Sequence, residues 1–202
     1  MAKLTINDLE LHGKRLLIRV DYNVPIAEQG EKMVINDDTR IRATLPTLNN
    51  AIEKGAKIIL TAHLGRPKGK RVPSLSLRPV AEKLSELIGK NVNFCDQCVG
   101  KSAAEAVSKI ENGNILLLEN VRYHAEEEAN DLDFAKHLAS FADIYVNDAF
   151  SCSHRAHASV TNITKFLPSY AGLQLNSEVN ALQKVTSDIK KPITCIIGGS
   201  KL

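Results

Sequence analysis

Short apolar runs alternate along this chain with stretches whose apolar residues recur at helical spacing. No other feature restricts its fold so strongly. The runs are LLIRV (16–20), KIIL (57–60), VNF (92–94), ILLL (115–118) and IYV (144–146), with ITCII (193–197) near the end. They are rich in Val, Ile and Leu without strict polar alternation, as parallel strands buried on both faces are. Between them, Ile41, Leu45, Leu48 and Ile52 keep a helical spacing that starts at Asp37-Asp38 and stops at Gly55. Val80, Leu84, Leu87 and Ile88 repeat it and end at Gly89; Ala103, Ala106, Val107 and Ile110 do so before Gly113. Leu132, Ala135, Leu138 and Phe141 make a fourth period. Strand–helix alternation at this pace builds a parallel sheet with right-handed crossovers. The expectation is an α/β fold: a Rossmann-like parallel sheet of about six strands flanked by helices, with six strands in place by Val146.

The texture changes after Thr161. Pro168 and Gly172 break the chain, and Leu175, Val179, Leu182, Val185 and Ile189 then mark a longer helix ended by Lys190-Lys191-Pro192. The expected division is a domain over 1–170, a connecting helix over 171–191, and the start of a second, truncated α/β domain over 192–202. That last piece holds one strand and the turn Gly198-Gly199-Ser200-Lys201.

At 202 residues the chain can bury one full core, or one core plus a fragment of another. No apolar stretch approaches the roughly 20 residues that cross a bilayer. The N-terminus, MAKLTINDLE, lacks the apolar core of a signal peptide. A net charge of +3 is too mild for a nucleic-acid coat, and with no Trp, five Phe and four Tyr a base-stacking platform is not expected. These traits point to a cytoplasmic enzyme or binding domain with no nucleic-acid or membrane partner. Cys95 and Cys98 form a CxxC, but Cys152 and Cys195 are isolated, so the second half of a zinc ribbon is missing. Reduced thiols at a strand end are expected.

Anion-handling residues follow the apolar runs, and in open α/β sheets ligands bind outside the carboxyl ends of the strands. RVDYNVP (19–25) places Asp21 and Asn23 past the first run, where a carboxylate and an amide can accept from and donate to one hydroxyl; turn chemistry alone also favours both residues. HLGRP (63–67) joins His63, a flexible Gly65 and Arg66, a residue that matches phosphate oxygens bidentately. The stretch 65–70 is too short for a Walker loop and has Arg71 where Ser or Thr belongs. LLENVRYHAEEE supplies Arg122, and its acids Glu126, Glu127 and Glu128 read as the start of an exposed helix or loop. NDAFSCSHRAHAS supplies His154, Arg155 and His157; two histidines three apart lack an HExxH frame and a third ligand, so no metal site is expected and Arg155 reads as an anion contact. The Gly198–Lys201 turn presents amides and a lysine suited to a nucleotide phosphate.

The ordered set RVDYNVP, DDTRI, HLGRP, LLENVRYHAEEE, NDAFSCSHRAHAS and IIGGSKL resembles the phosphoglycerate kinase family across effectively the whole chain. The resemblance implies a two-domain fold with a cleft, and reversible phosphoryl transfer between 1,3-bisphosphoglycerate and ADP that yields 3-phosphoglycerate and ATP. It implies that Asp21 and Asn23 hold the triose hydroxyl, and that His63, Arg66, Arg122 and Arg155 receive the ester phosphate and carboxylate. Arg40, in DDTRI, matches the arginine aimed at the phosphoryl group in flight, and Lys201 a catalytic lysine on the nucleotide side. Arg19 and His157 match further members of the basic cluster. Mg2+ is expected with ATP or ADP, its protein contacts falling in the missing C-terminal domain, so nucleotide binds only with that domain. Alone, the chain is expected to bind 3-phosphoglycerate weakly and to be inactive. The alternatives are a non-catalytic module for phosphorylated metabolites and a dinucleotide oxidoreductase, which would need a GxGxxG that RVDYNVP does not provide.

Overall fold

A computed structural model describes residues 4–30 and 32–187, with single residues at 189, 192, 194, 196 and 198. The strand expected over 193–197 and the Gly198–Lys201 turn lie outside the continuously described residues, and Lys201 and Cys195 outside them altogether. In chain order the strands and α-helices are β1 (Arg15–Val20), β2 (Ile26–Gln29), β3 (Lys32–Ile35), α1 (Thr39–Glu53), β4 (Lys57–Thr61), α2 (Arg78–Ile88) and β5 (Val92–Cys95). They continue as α3 (Lys101–Ser108), β6 (Ile115–Leu118), α4 (Ala125–Glu128), α5 (Leu132–Ala139), β7 (Ile144–Asp148), β8 (Ser169–Ala171) and α6 (Leu173–Thr186).

Six strands make one sheet in the order β5-β6-β4-β1-β7-β8, every neighbouring pair parallel. The expected α/β sheet is therefore present, with two corrections. Only five of its strands are in place by Asp148, and the sixth is the three-residue β8 between Pro168 and Gly172. In addition, β2 and β3 pair antiparallel as a separate hairpin that the apolar pattern did not announce. The helices fall where the periods placed them, and α2 stops at Gly89, whose φ of 69° is left-handed backbone that glycine adopts without strain. The helix α6 ends at Thr186, short of the expected Ile189.

Successive strand residues face opposite sides of a sheet, and two cores follow. Leu16, Ile18, Ile58, Leu60, Ile115 and Leu117 pack toward α1 and α2, whereas Leu17, Ile59, Leu116 and Leu118 pack toward α3 and α5. Burying one such side chain is worth about 1.5–3 kcal/mol, so the central strands are held from both faces. Cys95 and Cys98 belong to the second core. Both are free and buried, and burial pushes both thiols above the usual range. A thiol needs to ionise to attack, so these two should stay reduced and silent. In a native titration with a chromogenic disulfide reagent they are expected to react only on unfolding; a fast two-thiol burst removed by Cys95→Ser would show the opposite.

Candidate anion-binding site

Because β6, β4, β1 and β7 are neighbours and parallel, their carboxyl ends deliver Arg122, His63, Asp21 and Arg155 to one rim. Gly65 ties three of the loops together. Its N–H donates to Asn23 Oδ1 at 2.9 Å, and its carbonyl accepts from Arg122 Nη1 at 2.9 Å. Its φ is 63°, left-handed backbone that favours glycine, and a Cβ there would also require the end of the Leu75 side chain, 2.8 Å away, to turn aside.

Arg122 is the central cation. Its side chain is only 4% exposed, and Nε and Nη2 have no hydrogen-bond partner among the described residues. Nε does lie 3.3 Å from Glu128 Oε1, an ion pair without hydrogen-bond alignment. Burial works against its charge; Glu128 opposes that effect, while Arg155 and Arg19 add to it. A buried guanidinium with idle donors, beside two like charges, is poised to gain from an arriving anion.

Arg19 is 1% exposed. It donates from Nε to Ser159 Oγ at 3.0 Å, from Nη1 to the Val20 carbonyl, and from Nη2 toward His63 Nδ1 at 3.0 Å. Burial first, then Arg19, Arg122, Arg155 and His157, push His63 down to about 2, so its imidazole is neutral throughout the physiological range. His157 is also buried and lowered, chiefly by desolvation, with Glu127 3.8 Å away pulling the other way. His154, by contrast, is exposed, so the two histidines do not act as a pair.

Asp21 and Arg40, separate in the sequence argument, are paired here. Arg40 Nη1 and Ser151 Oγ both donate to Asp21 Oδ2, while Asp21 Oδ1 accepts from the Asn23 N–H at 3.1 Å. They border a cavity of about 240 Å³ that Gln174 and Glu178 of α6 also line. Arg66 is exposed on the loop after His63, with no hydrogen-bond partner among the described residues. Arg155 is half-buried and close enough to act on His63, Arg122 and His157.

One residue overturns its expectation. Glu127, read with its neighbours as part of an exposed start, is fully buried on α4 and accepts from Ser159 N at 2.9 Å and Ser159 Oγ at 2.6 Å. A run of three glutamates carries no sign of which one turns inward.

Among the described residues, one group could hold a metal: Asp21, His63 and Cys152, with ligand atoms within 4.8 Å of one another. It does not fit Mg2+, which demands oxygen ligands. Arg19 Nη2 moreover sits on His63 Nδ1 and 4.0 Å from Cys152 Sγ, so a cation would lodge among guanidinium groups. A rim of guanidinium groups suits an anion better than a cation.

The sequence model of one family, described as phosphoglycerate kinase, matches residues 6–202. Among curated relatives, the phosphoglycerate kinase of Gloeothece citriformis is 54% identical over 206 residues, covering 100% of this chain and 51% of its own. That of Koribacter versatilis is 52% identical over 209 residues, with 100% and 51% covered. The solved phosphoglycerate kinase of Coxiella burnetii superimposes with a TM-score of 0.82 at 37% identity, covering 95% of this chain and 47% of that one. The Pyrococcus horikoshii enzyme gives 0.83 at 30% identity, with 94% and 47% covered. The chain thus spans about half the length of the curated relatives it matches. With a family model matched over nearly its whole length, relatives of one name and the same fold in solved members, the chain belongs to the phosphoglycerate kinase family.

Proposed function

We propose that this chain supplies the triose-substrate side of reversible phosphoryl transfer between 1,3-bisphosphoglycerate and ADP. The observation that carries the reading is Arg122: a nearly buried guanidinium whose Nε and Nη2 have no hydrogen-bond partner among the described residues, flanked by Arg19, Arg155 and neutral His63. A phosphate monoester brings about −1.5 to −2 charges near neutral pH, and the substrate carboxylate brings another. Such a ligand relieves the repulsion among these side chains and uses their donors. Asp21 would accept from the triose hydroxyl while the Asn23 amide donates, the substrate taking the place that Arg40 and Ser151 now hold on Asp21. Freed from Asp21, Arg40 would stabilise the phosphoryl group in transit; transfer of this kind needs positioning and charge stabilisation more than a protein nucleophile.

In this reading residues 1–170 form the substrate domain and 171–191 the connecting segment. ATP or ADP comes with Mg2+ that the clusters described above do not hold, and Lys201 serves on the nucleotide side. The setting is cytoplasmic and the chain monomeric. No helix among the described residues is long and apolar enough to cross a membrane.

Calorimetric titration of the 202-residue chain with 3-phosphoglycerate tests the proposal. Weak, saturable, one-to-one binding that loosens with salt is expected. Arg66→Ala should weaken it about tenfold, the loss of one charge-assisted hydrogen bond. Arg40→Ala should change it less than about threefold, since that residue serves the transition state. Absence of saturable binding, or a larger loss with Arg40→Ala than with Arg66→Ala, would overturn this assignment.

A further inference from the structure

Behind His63 runs a chain of buried polar groups. It begins at Glu127, whose two oxygens accept from the N–H and hydroxyl of Ser159 at 2.9 and 2.6 Å. A hydroxyl has one proton, and that of Ser159 is committed to Glu127. What Ser159 Oγ offers elsewhere is therefore a lone pair, and Arg19 Nε donates to it at 3.0 Å. A guanidinium has donors only. Its Nη2, 3.0 Å from His63 Nδ1, therefore fixes that ring nitrogen as the acceptor. The His63 proton is left on Nε2, which makes no hydrogen bond among the described residues. Each link has a fixed direction, and Glu127, Ser159 and Arg19 are all fully or almost fully buried.

We propose that Glu127 is a positioning residue: through Ser159 and Arg19 it holds His63 in the tautomer that donates from Nε2 to a bound anion. The value of that tautomer rests on the rim being the anion site, but its existence does not. An imidazole on a cationic rim can serve an anion in two ways, as a cation or as a neutral donor. The charged and titratable groups facing His63 are Arg19 from β1, Arg122 after β6, and Arg155 and His157 after β7, with Asp21 and Cys152 nearby. They exclude the first. The neutral ring is useful only if its proton points outward, and a free histidine side chain favours that nitrogen only modestly, leaving a sizeable share of the other tautomer. The buried carboxylate supplies the reason from a distance, without touching substrate. It also accounts for a fully buried glutamate on a helix of four residues.

The test is the side-chain ¹⁵N spectrum of His63 near neutral pH, with and without 3-phosphoglycerate, in wild type, Ser159→Ala and Glu127→Gln. Wild type should show the Nε2–H tautomer alone. Ser159→Ala, which removes the anchor of Arg19 while adding no bulk, should give a mixture of tautomers and about a tenfold loss of affinity. Glu127→Gln, whose amide can still accept from Ser159, should fall between the two. Thermal unfolding of the same variants separates this from loss of fold, because a merely structural role would lower the melting temperature and leave the tautomer of the folded fraction unchanged. An Nδ1–H tautomer in wild type, or an unaltered tautomer in both variants, overturns the proposal even if 3-phosphoglycerate binds normally. If the tautomer shifts but wild type binds no 3-phosphoglycerate, the positioning role stands and the functional assignment above falls.

Discussion

Arg122→Met is expected to weaken 3-phosphoglycerate binding about a hundredfold while leaving the fold as stable as before, or more so. The two effects have one cause. In the free chain the guanidinium is nearly buried, its Nε and Nη2 find no hydrogen-bond partner among the described residues, and Arg19 and Arg155 repel it. Each of these raises the free energy of the folded state, and methionine, of similar length and without donors, removes all three. The losses are the Nη1 bond to the Gly65 carbonyl, worth about 1 kcal/mol, and the ion pair with Glu128, which is half-exposed and free to turn to water. In the complex the balance reverses. A desolvated arginine paired with phosphate or carboxylate contributes about 2–5 kcal/mol, and a hundredfold in affinity is about 2.7 kcal/mol. Arg122→Lys should fall between, because it keeps the charge but not the planar fork. Calorimetry and urea midpoints on the three proteins decide the matter. A Met variant that binds like wild type, or one destabilised by several kcal/mol, would show that the arginine serves the fold.

How much of this was legible beforehand depends on the kind of signal. Strand interiors such as ILLL and helices closed by Gly89 advertise themselves, because burial on both faces and left-handed caps each restrict residue type. The rim residues were legible as a set because parallel strands put their carboxyl ends together. Harder to see were features whose cause is tertiary. β8 is three residues long and sits between a proline and a glycine, so its pairing with β7 comes from the sheet edge it meets rather than from its own pattern. The hairpin of β2 and β3 is short and half-exposed, with too little alternation to read. Asp21 and Arg40 looked like independent substrate contacts, and only the fold reveals that each occupies the other. Glu127 was placed outside because glutamate usually is; what brings it inside is Ser159 and Arg19, 32 residues ahead of it and over 100 behind.

Gly172→Ala should be the most destabilising single-methyl addition in the described chain, at about 3 kcal/mol. Gly172 has φ of −72°, which any residue adopts, so its backbone is not the reason. The reason is Asp148. An alanine Cβ would overlap the Asp148 carboxyl group and stand 2.6 Å from its Cβ, closer than such atoms come. That carboxylate has little freedom to move: it ends β7, is buried, and its Oδ1 accepts from the Leu175 N–H at 3.1 Å, capping α6 from outside the helix. Thr47 supports the same end, accepting from the Leu173 N–H at 2.9 Å. Alanine therefore either expels Asp148 and uncaps α6, or pushes α6 off the sheet. Asp148→Ala alone should cost about 2 kcal/mol as a lost cap, but it removes the group with which the new methyl collides. The double variant should then be more stable than the sum of the singles predicts by roughly 1–2 kcal/mol, and strict additivity would refute the steric account. Burial also raises the Asp148 pKa, against the pull of Thr47 and the α6 amides, and Oδ2 has no hydrogen-bond partner among the described residues. A raised carboxyl pKa means the folded state prefers the proton. The cost of burying the charge is absent below the unfolded value and reached in full above the folded one, so Asp148→Asn should flatten that part of the stability–pH curve. The loop that follows β7 carries Ser151, which donates to Asp21, and Arg155. Gly172→Ala should therefore also loosen 3-phosphoglycerate several-fold, although Asp148 and not Gly172 lines the cavity that Asp21 and Arg40 border.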